Sequence, residues 1–139
     1  MPWERYQRYS KLSVPETEKQ DVEDDLVIAL ATAGDRVLWA YRRDDQVIPL
    51  DAIRYKEGAK MFVRAGEIEP LDPTLQAKAK FLAGRALVEK RQFQEGISLL
   101  HQAIALDPQA AYSYNALGIA YMELQQPNEA NRHFQTAVE

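Results

Sequence analysis

Apolar residues recur along this chain at helical intervals, and the interruptions of that rhythm mark where elements begin and end. Val22, Leu26, Ala29, Leu30 and Ala33 fall on one face of a helix. Ser13, Pro15 and Glu16 stand ahead of them, with the spacing of a capping box and an early proline. Glu16, Glu18, Asp21, Glu23, Asp24 and Asp25 crowd the first turns, where the helix dipole favours carboxylates. Gly34-Asp35 predicts the end of this helix. Residues 36–43 read two ways: Val37, Trp39 and Tyr41 alternate like a strand, while Val37, Ala40 and Tyr41 share a helical face. We read a helix, because a hairpin of 37–41 with 46–49 would stand alone, and lone two-stranded sheets are marginal. Asp51 then predicts a cap, with Leu50 and Tyr55 spaced as a hydrophobic staple. Ala52, Tyr55, Ala59, Phe62 and Val63 give the following helix its apolar face, and Gly66 predicts its end.

From residue 77 the pattern is written twice at an offset of 34 residues. Ala77, Gly84, Ala86, Glu89, Gln92, Glu95 and Ala103 recur as Ala111, Gly118, Ala120, Glu123, Gln126, Glu129 and Ala137. The spacing predicts helices over 74–90, 93–106, 112–124 and 127–139, and the triplet Leu-Asp-Pro, at Leu71 and again at Leu106, is expected to open the first helix of each pair. Tyr114, Leu117, Gly118, Tyr121, Ala130 and Phe134 reproduce the aromatic-x2-Leu-Gly-x2-Tyr and Ala-x3-Phe spacing of the tetratricopeptide repeat (TPR), which the chain resembles over residues 77–139. Lys80 and Ala83 hold the slots of Tyr114 and Leu117 in the first copy and depart from the motif. The resemblance implies an all-α, right-handed solenoid of antiparallel helix pairs, here with an additional N-terminal helical region. The expected organisation is a basic, aromatic arm over 1–13, a helical region over 14–72 that can be read as a divergent repeat, and two repeats over 73–139.

A second row of side chains runs beside the packing stripe of the repeated first helices. Phe81, Arg85 and Val88 lie one above another on one helix, Asn115, Ile119 and Met122 hold the same register on the next, and Lys78 and Tyr112 extend the row. In the resembled family this face lines a concave groove that takes a peptide or a partner's helix, so the resemblance implies that Lys78, Phe81, Arg85, Val88, Tyr112, Asn115, Ile119 and Met122 contact a protein or peptide ligand. The expected function is a non-catalytic adaptor. The alternative is an assembly module that self-associates or spaces the domains of a longer repeat protein. Phe134, Ala137 and Val138 on the final helix form the expected self-association edge, because no further helix follows to cover them.

Composition narrows the chemistry. A net charge of −4 and a pI near 5.3 argue against nucleic acid as a partner. The chain has no cysteine, which removes disulfides, thiolate metal sites and cysteine nucleophiles. No long apolar run predicts a membrane span, the first eleven residues lack the apolar core of a signal peptide, and the chain as written is expected in the cytoplasm. His101 and His133 are 32 residues apart, occupy non-equivalent repeat positions and are not expected to meet. With no His-x3-His, phosphate loop or nucleophile elbow, we expect no catalytic residue, metal or cofactor.

Overall fold

Residue Gly34, read from the pattern as a break, lies in the middle of a continuous helix. The computed structural model describes residues 2–43 and 51–139. Among them are seven helices: α1 (Pro2–Tyr9), α2 (Glu16–Arg43), α3 (Ala52–Ile68), α4 (Pro73–Glu89), α5 (Phe93–Leu106), α6 (Ala111–Glu123) and α7 (Pro127–Val138). The 37–41 segment is therefore helical. The 46–49 half of the hairpin and Leu50 of the staple lie outside the described residues.

Glycine is tolerated inside α2 because the partner helix needs the space. A Cβ on Gly34 would lie 2.6 Å from Cε2 of Phe62 on α3. The same device recurs. A Cβ on Gly84 would come within 3.1 Å of both the Gly96 carbonyl and Leu100 Cγ on α5, and one on Gly118 would collide with the Phe134 ring on α7. On the second helix of each pair, the large residue stands four positions after a small one: Gly58 and Phe62, Gly96 and Leu100, Ala130 and Phe134. The contacts also fix direction, since Gly34 meets Phe62 while Val37, farther along α2, meets Gly58, earlier on α3. α2 and α3 thus form a third antiparallel pair in the register of the other two, and successive pairs stack through α3 on α4 and α5 on α6. What hid this pair from the sequence is length. Twelve residues separate Gly84 from Gly96 and Gly118 from Ala130, whereas 24 separate Gly34 from Gly58.

The third pair also corrects the reading of the prolines. Pro70 follows Phe62 as Pro108 follows Leu100, by eight residues. Glu69 and Asp107 both close second helices, their N–H groups donating to Ala65 and Ala103 carbonyls at 2.9 Å. Asp107-Pro108 therefore ends α5 and does not open α6, while Asp72 does cap α4, accepting from the Thr74 N–H at 2.8 Å. Asp51 caps α3 as expected, accepting from the Arg54 N–H at 2.8 Å. Gly66 does not end α3, which runs on to Ile68 with open space beside the glycine. Just past the ends of α4 and α6 stand Arg91 and Gln125, both left-handed (φ 63° and 57°), each followed by an N–H bonded back to Leu87 or Tyr121. This is a Schellman stop without the usual glycine. The N-terminal arm is helical, with Trp3 buried in the core, the Arg64 guanidinium 5.5 Å from its ring centroid, and Tyr6 donating to Glu23 at 2.8 Å.

His101 and His133 do meet. Their ring centroids are 6.0 Å apart, and Tyr121 stacks on His133 at 5.3 Å. A contact between neighbouring repeats joins the trailing side of one helix to the leading side of the next, so the two partners must occupy different register positions. Burial, with the nearby His101 as a lesser cause, pushes the His133 imidazole below its ordinary value.

Two outcomes follow from this packing. Gly34→Ala should lower stability by about 1–3 kcal/mol, because the new methyl would stand 2.6 Å from the fully buried Phe62 ring and force it to shift. Gly66→Ala, which meets nothing, should raise it by up to about 1 kcal/mol. Urea denaturation distinguishes them, and equal shifts would place Gly34 outside the helix contact. The histidine contact sets a pH dependence. His133 binds its proton less readily folded than unfolded, so its contribution is present above the unfolded value of about 6.5 and is lost as pH falls through it toward the folded pKa. Melting temperature should fall less steeply between pH 7.5 and 5.5 in His133→Phe than in the parent chain, a comparison that scanning calorimetry makes directly.

Candidate functional site

The first helices α2, α4 and α6 lie side by side, and the row singled out in the sequence sits where they meet. On α4 that row is covered. Phe81 is fully buried, with Tyr41 of α2 edge-on at 5.2 Å and Tyr112 of α6 edge-on at 4.7 Å. Lys78 pairs with Asp35 of α2 at 2.8 Å and stands 5.4 Å from the Phe62 ring centroid. Val88 is buried against Gly96.

Arg85 is the centre of this arrangement. It is only 5% exposed, its guanidinium 5.3 Å from the ring centroid of Tyr41 and 5.2 Å from that of Tyr55. Nη2 donates to Glu89 at 2.7 Å, whereas Nε and Nη1 have no acceptor among the described residues. A charge removed from water needs compensation, and here two aromatic faces and one carboxylate supply it. Burial raises the Tyr41 hydroxyl above its ordinary pKa, and its oxygen accepts from Asn115 Nδ2 at 2.8 Å. A single tyrosine near the end of α2 thus spans α4 and reaches α6.

The α6 part of the row stays more open. Tyr112, Asn115 and Ile119 are half-buried and Met122 is 51% exposed. Burial, aided by the Asp107 carboxylate, pushes the Tyr112 phenol up to about 12, so it remains a neutral donor. Arg42 lies 5.9 Å from the Tyr112 ring centroid and 5.8 Å from that of Trp39, which is 58% exposed. The sequence reading missed Asp35, Trp39, Tyr41, Arg42 and Tyr55 as members of this face. Asp35, Trp39 and Arg42 do carry a helical i, i+4, i+7 spacing, but reading Gly34 as a break detached them from the helix that presents them.

On the final helix, Phe134 packs on Gly118 and is half-buried, Ala137 is half-buried, and Val138 is 86% exposed. Among the described residues, no group of three or more His, Cys, Asp or Glu side chains could hold a metal ion. No described helix is long and apolar enough to cross a membrane.

Residues 84–125 match the family model of the TPR repeat. No curated protein matches the chain significantly. Among solved structures, an arginine-to-glutamate point mutant of MamA is 19% identical, with a TM-score of 0.46, over 98% of this chain and 89% of that one. A MamA fragment from Desulfovibrio magneticus RS-1, starting at its residue 41, is 21% identical, with a TM-score of 0.48, over 99% of this chain and 84% of that one. Over residues 84–125, where the model matches and the glycine contacts recur, this chain is built of tetratricopeptide repeat.

Proposed function

We propose that the chain is a non-catalytic protein-binding module that receives its partner on the open part of the first-helix face. One observation carries this: Arg42 lies close to the rings of both Trp39 and Tyr112, on the face that also holds the half-exposed Met122. Tryptophan, tyrosine, arginine and methionine are the residue types enriched at the energetic centres of protein interfaces. Lys78 and Arg85 are already paired with Asp35 and Glu89, so the ligand at this face is one that offers apolar surface in preference to carboxylates. Phe81, Arg85 and Val88 support the face from beneath. Assembly through Phe134, Ala137 and Val138 has less support, because the Phe134 ring is engaged with Gly118.

A photo-cross-linking side chain placed at Met122 or Trp39 in cells should capture one defined partner, and the same group at Ile28, equally exposed on α2, should not. Equal capture from all three positions would sink the proposal. Arg85→Ala should lower stability by about 2 kcal/mol through loss of its desolvated aromatic contacts. Trp39→Ala and Met122→Ala should stay within about 0.5–1 kcal/mol of the parent chain. A stable Arg85→Ala variant that loses only its partner would return Arg85 to the ligand-contacting set.

A further inference from the structure

A second opening lies between α3 and α4, away from the first-helix row. Lys56, Ala59, Lys60 and Val63 form one stripe along α3, and they face Ala79, Lys80 and Ala83 of α4 across a cavity of about 520 Å³. Leu99 of α5 also lines this cavity. An adjoining hollow of about 280 Å³ shares Val63, Ala79 and Lys80 and continues to Gly66 and Glu67. The groove exists because this repeat lacks the side chains that its neighbour has. By the Gly84 and Gly118 register, Ala83 stands where α6 has the fully buried Leu117, and Lys80 stands where it has Tyr114. Gly66 widens the far end, with nothing within 4 Å of a Cβ there.

The walls have a sign. Lys56, Lys60 and Lys80 rim an alanine-rich floor in a chain whose net charge is −4. Lys80 Nζ donates to Gln102 at 2.8 Å, and neither Lys56 nor Lys60 makes an ion pair among the described residues. Glu67 places the opposite charge at the far end. From Lys56 to Glu67 the α3 wall is roughly 16 Å long, enough for about five residues of extended chain. Val63 is 50% exposed, so the groove is open along its length and suits a polymer segment better than an enclosed small molecule.

We propose that this groove binds an acidic peptide segment, seating one large apolar side chain in the space left by Ala83 and Lys80, with its carboxylates toward Lys56 and Lys60. The apolar anchor replaces the missing core side chain of the repeat, and the charges set the direction of the segment. The site is independent of the first-helix face, and either can fail alone.

Fluorescence anisotropy with short labelled peptides tests it. The probes are aspartates flanking one leucine, the same peptide with serine for leucine, and the same peptide with lysine for each aspartate. Only the first should bind, less tightly as salt rises. Ala83→Leu, which restores the residue of the neighbouring repeat, should weaken binding about tenfold or more, equivalent to about 1.4 kcal/mol, without lowering the melting temperature. Lys56→Glu with Lys60→Glu provides a second variant that leaves the floor intact and should lose the same binding. Unaltered binding in both variants, or equal binding of the lysine peptide, overturns the proposal. So does loss of binding in Met122→Glu, which would assign the peptide to the first-helix face. Sedimentation of the protein alone supplies the last outcome: self-association abolished by Ala83→Leu would make a second copy the occupant and overturn the partner assignment.

Discussion

The fold depends on one contact, made three times: a glycine on the first helix of a pair admits a large side chain or the backbone of the second. Gly34 takes the Phe62 ring, Gly84 takes Leu100 and the Gly96 carbonyl, and Gly118 takes the Phe134 ring. A glycine inside a helix gives up about 1 kcal/mol of propensity relative to alanine, and the close approach of the partner offsets that cost. Because the contact recurs at equivalent positions, it gives the three pairs the same internal register, and they stack through α3 on α4 and α5 on α6. Stacked in this way, the first helices share a row, and the second helices α5 and α7 meet through His101 and His133, with Tyr121 of α6 stacked on His133.

The same contact explains what could be read from the chain before its structure. Residues 77–139 were legible because their small residues recur at a constant interval, and a recurring helical glycine has few meanings other than close packing. Residues 14–72 were less so. A lone Gly34 has no second copy at the same interval to mark it as a packing glycine, so local propensity favoured a break. The extra length between Gly34 and Gly58 displaced α3 from any fixed offset, although Gly58, Phe62 and Pro70 carry the correct internal spacing. Tertiary contact overrode propensity here, whereas the helix ends before Arg91 and Gln125 were legible from the repeat although neither residue is a glycine.

The candidate face was legible in its positions and not in its state. Register alone places Lys78, Phe81, Arg85 and Val88 on one side of α4, and Tyr112, Asn115, Ile119 and Met122 on one side of α6. What register cannot show is that α2 extends far enough to lay Tyr41 over that row. Once it does, Phe81 becomes core, Arg85 becomes a buried cation held between two rings, and Asn115 spends its amide on a tyrosine oxygen. Lys78, Asn115 and Nη2 of Arg85 are thereby engaged within the chain, while Nε and Nη1 of Arg85 lie buried without an acceptor among the described residues. The surface that remains is built of Trp39, Arg42 and Met122.

Departures from a repeat's pattern can therefore be separated by where they lead. Tyr114 and Leu117 fill the side of α6, and their counterparts Lys80 and Ala83 leave the side of α4 open, although both helices carry the same glycine and make the same pair contact. The pair contact tolerates the change because it is made at Gly84 itself, against the Gly96 carbonyl and Leu100, neither of which lines the opening. Stability of the repeat and occupancy of the groove are for that reason separable properties: Gly84 governs the first, and the residues one and four positions before it govern the second. A chain that retains the glycines while altering those two positions keeps its solenoid and acquires an apolar, lysine-rimmed channel between one repeat and the next.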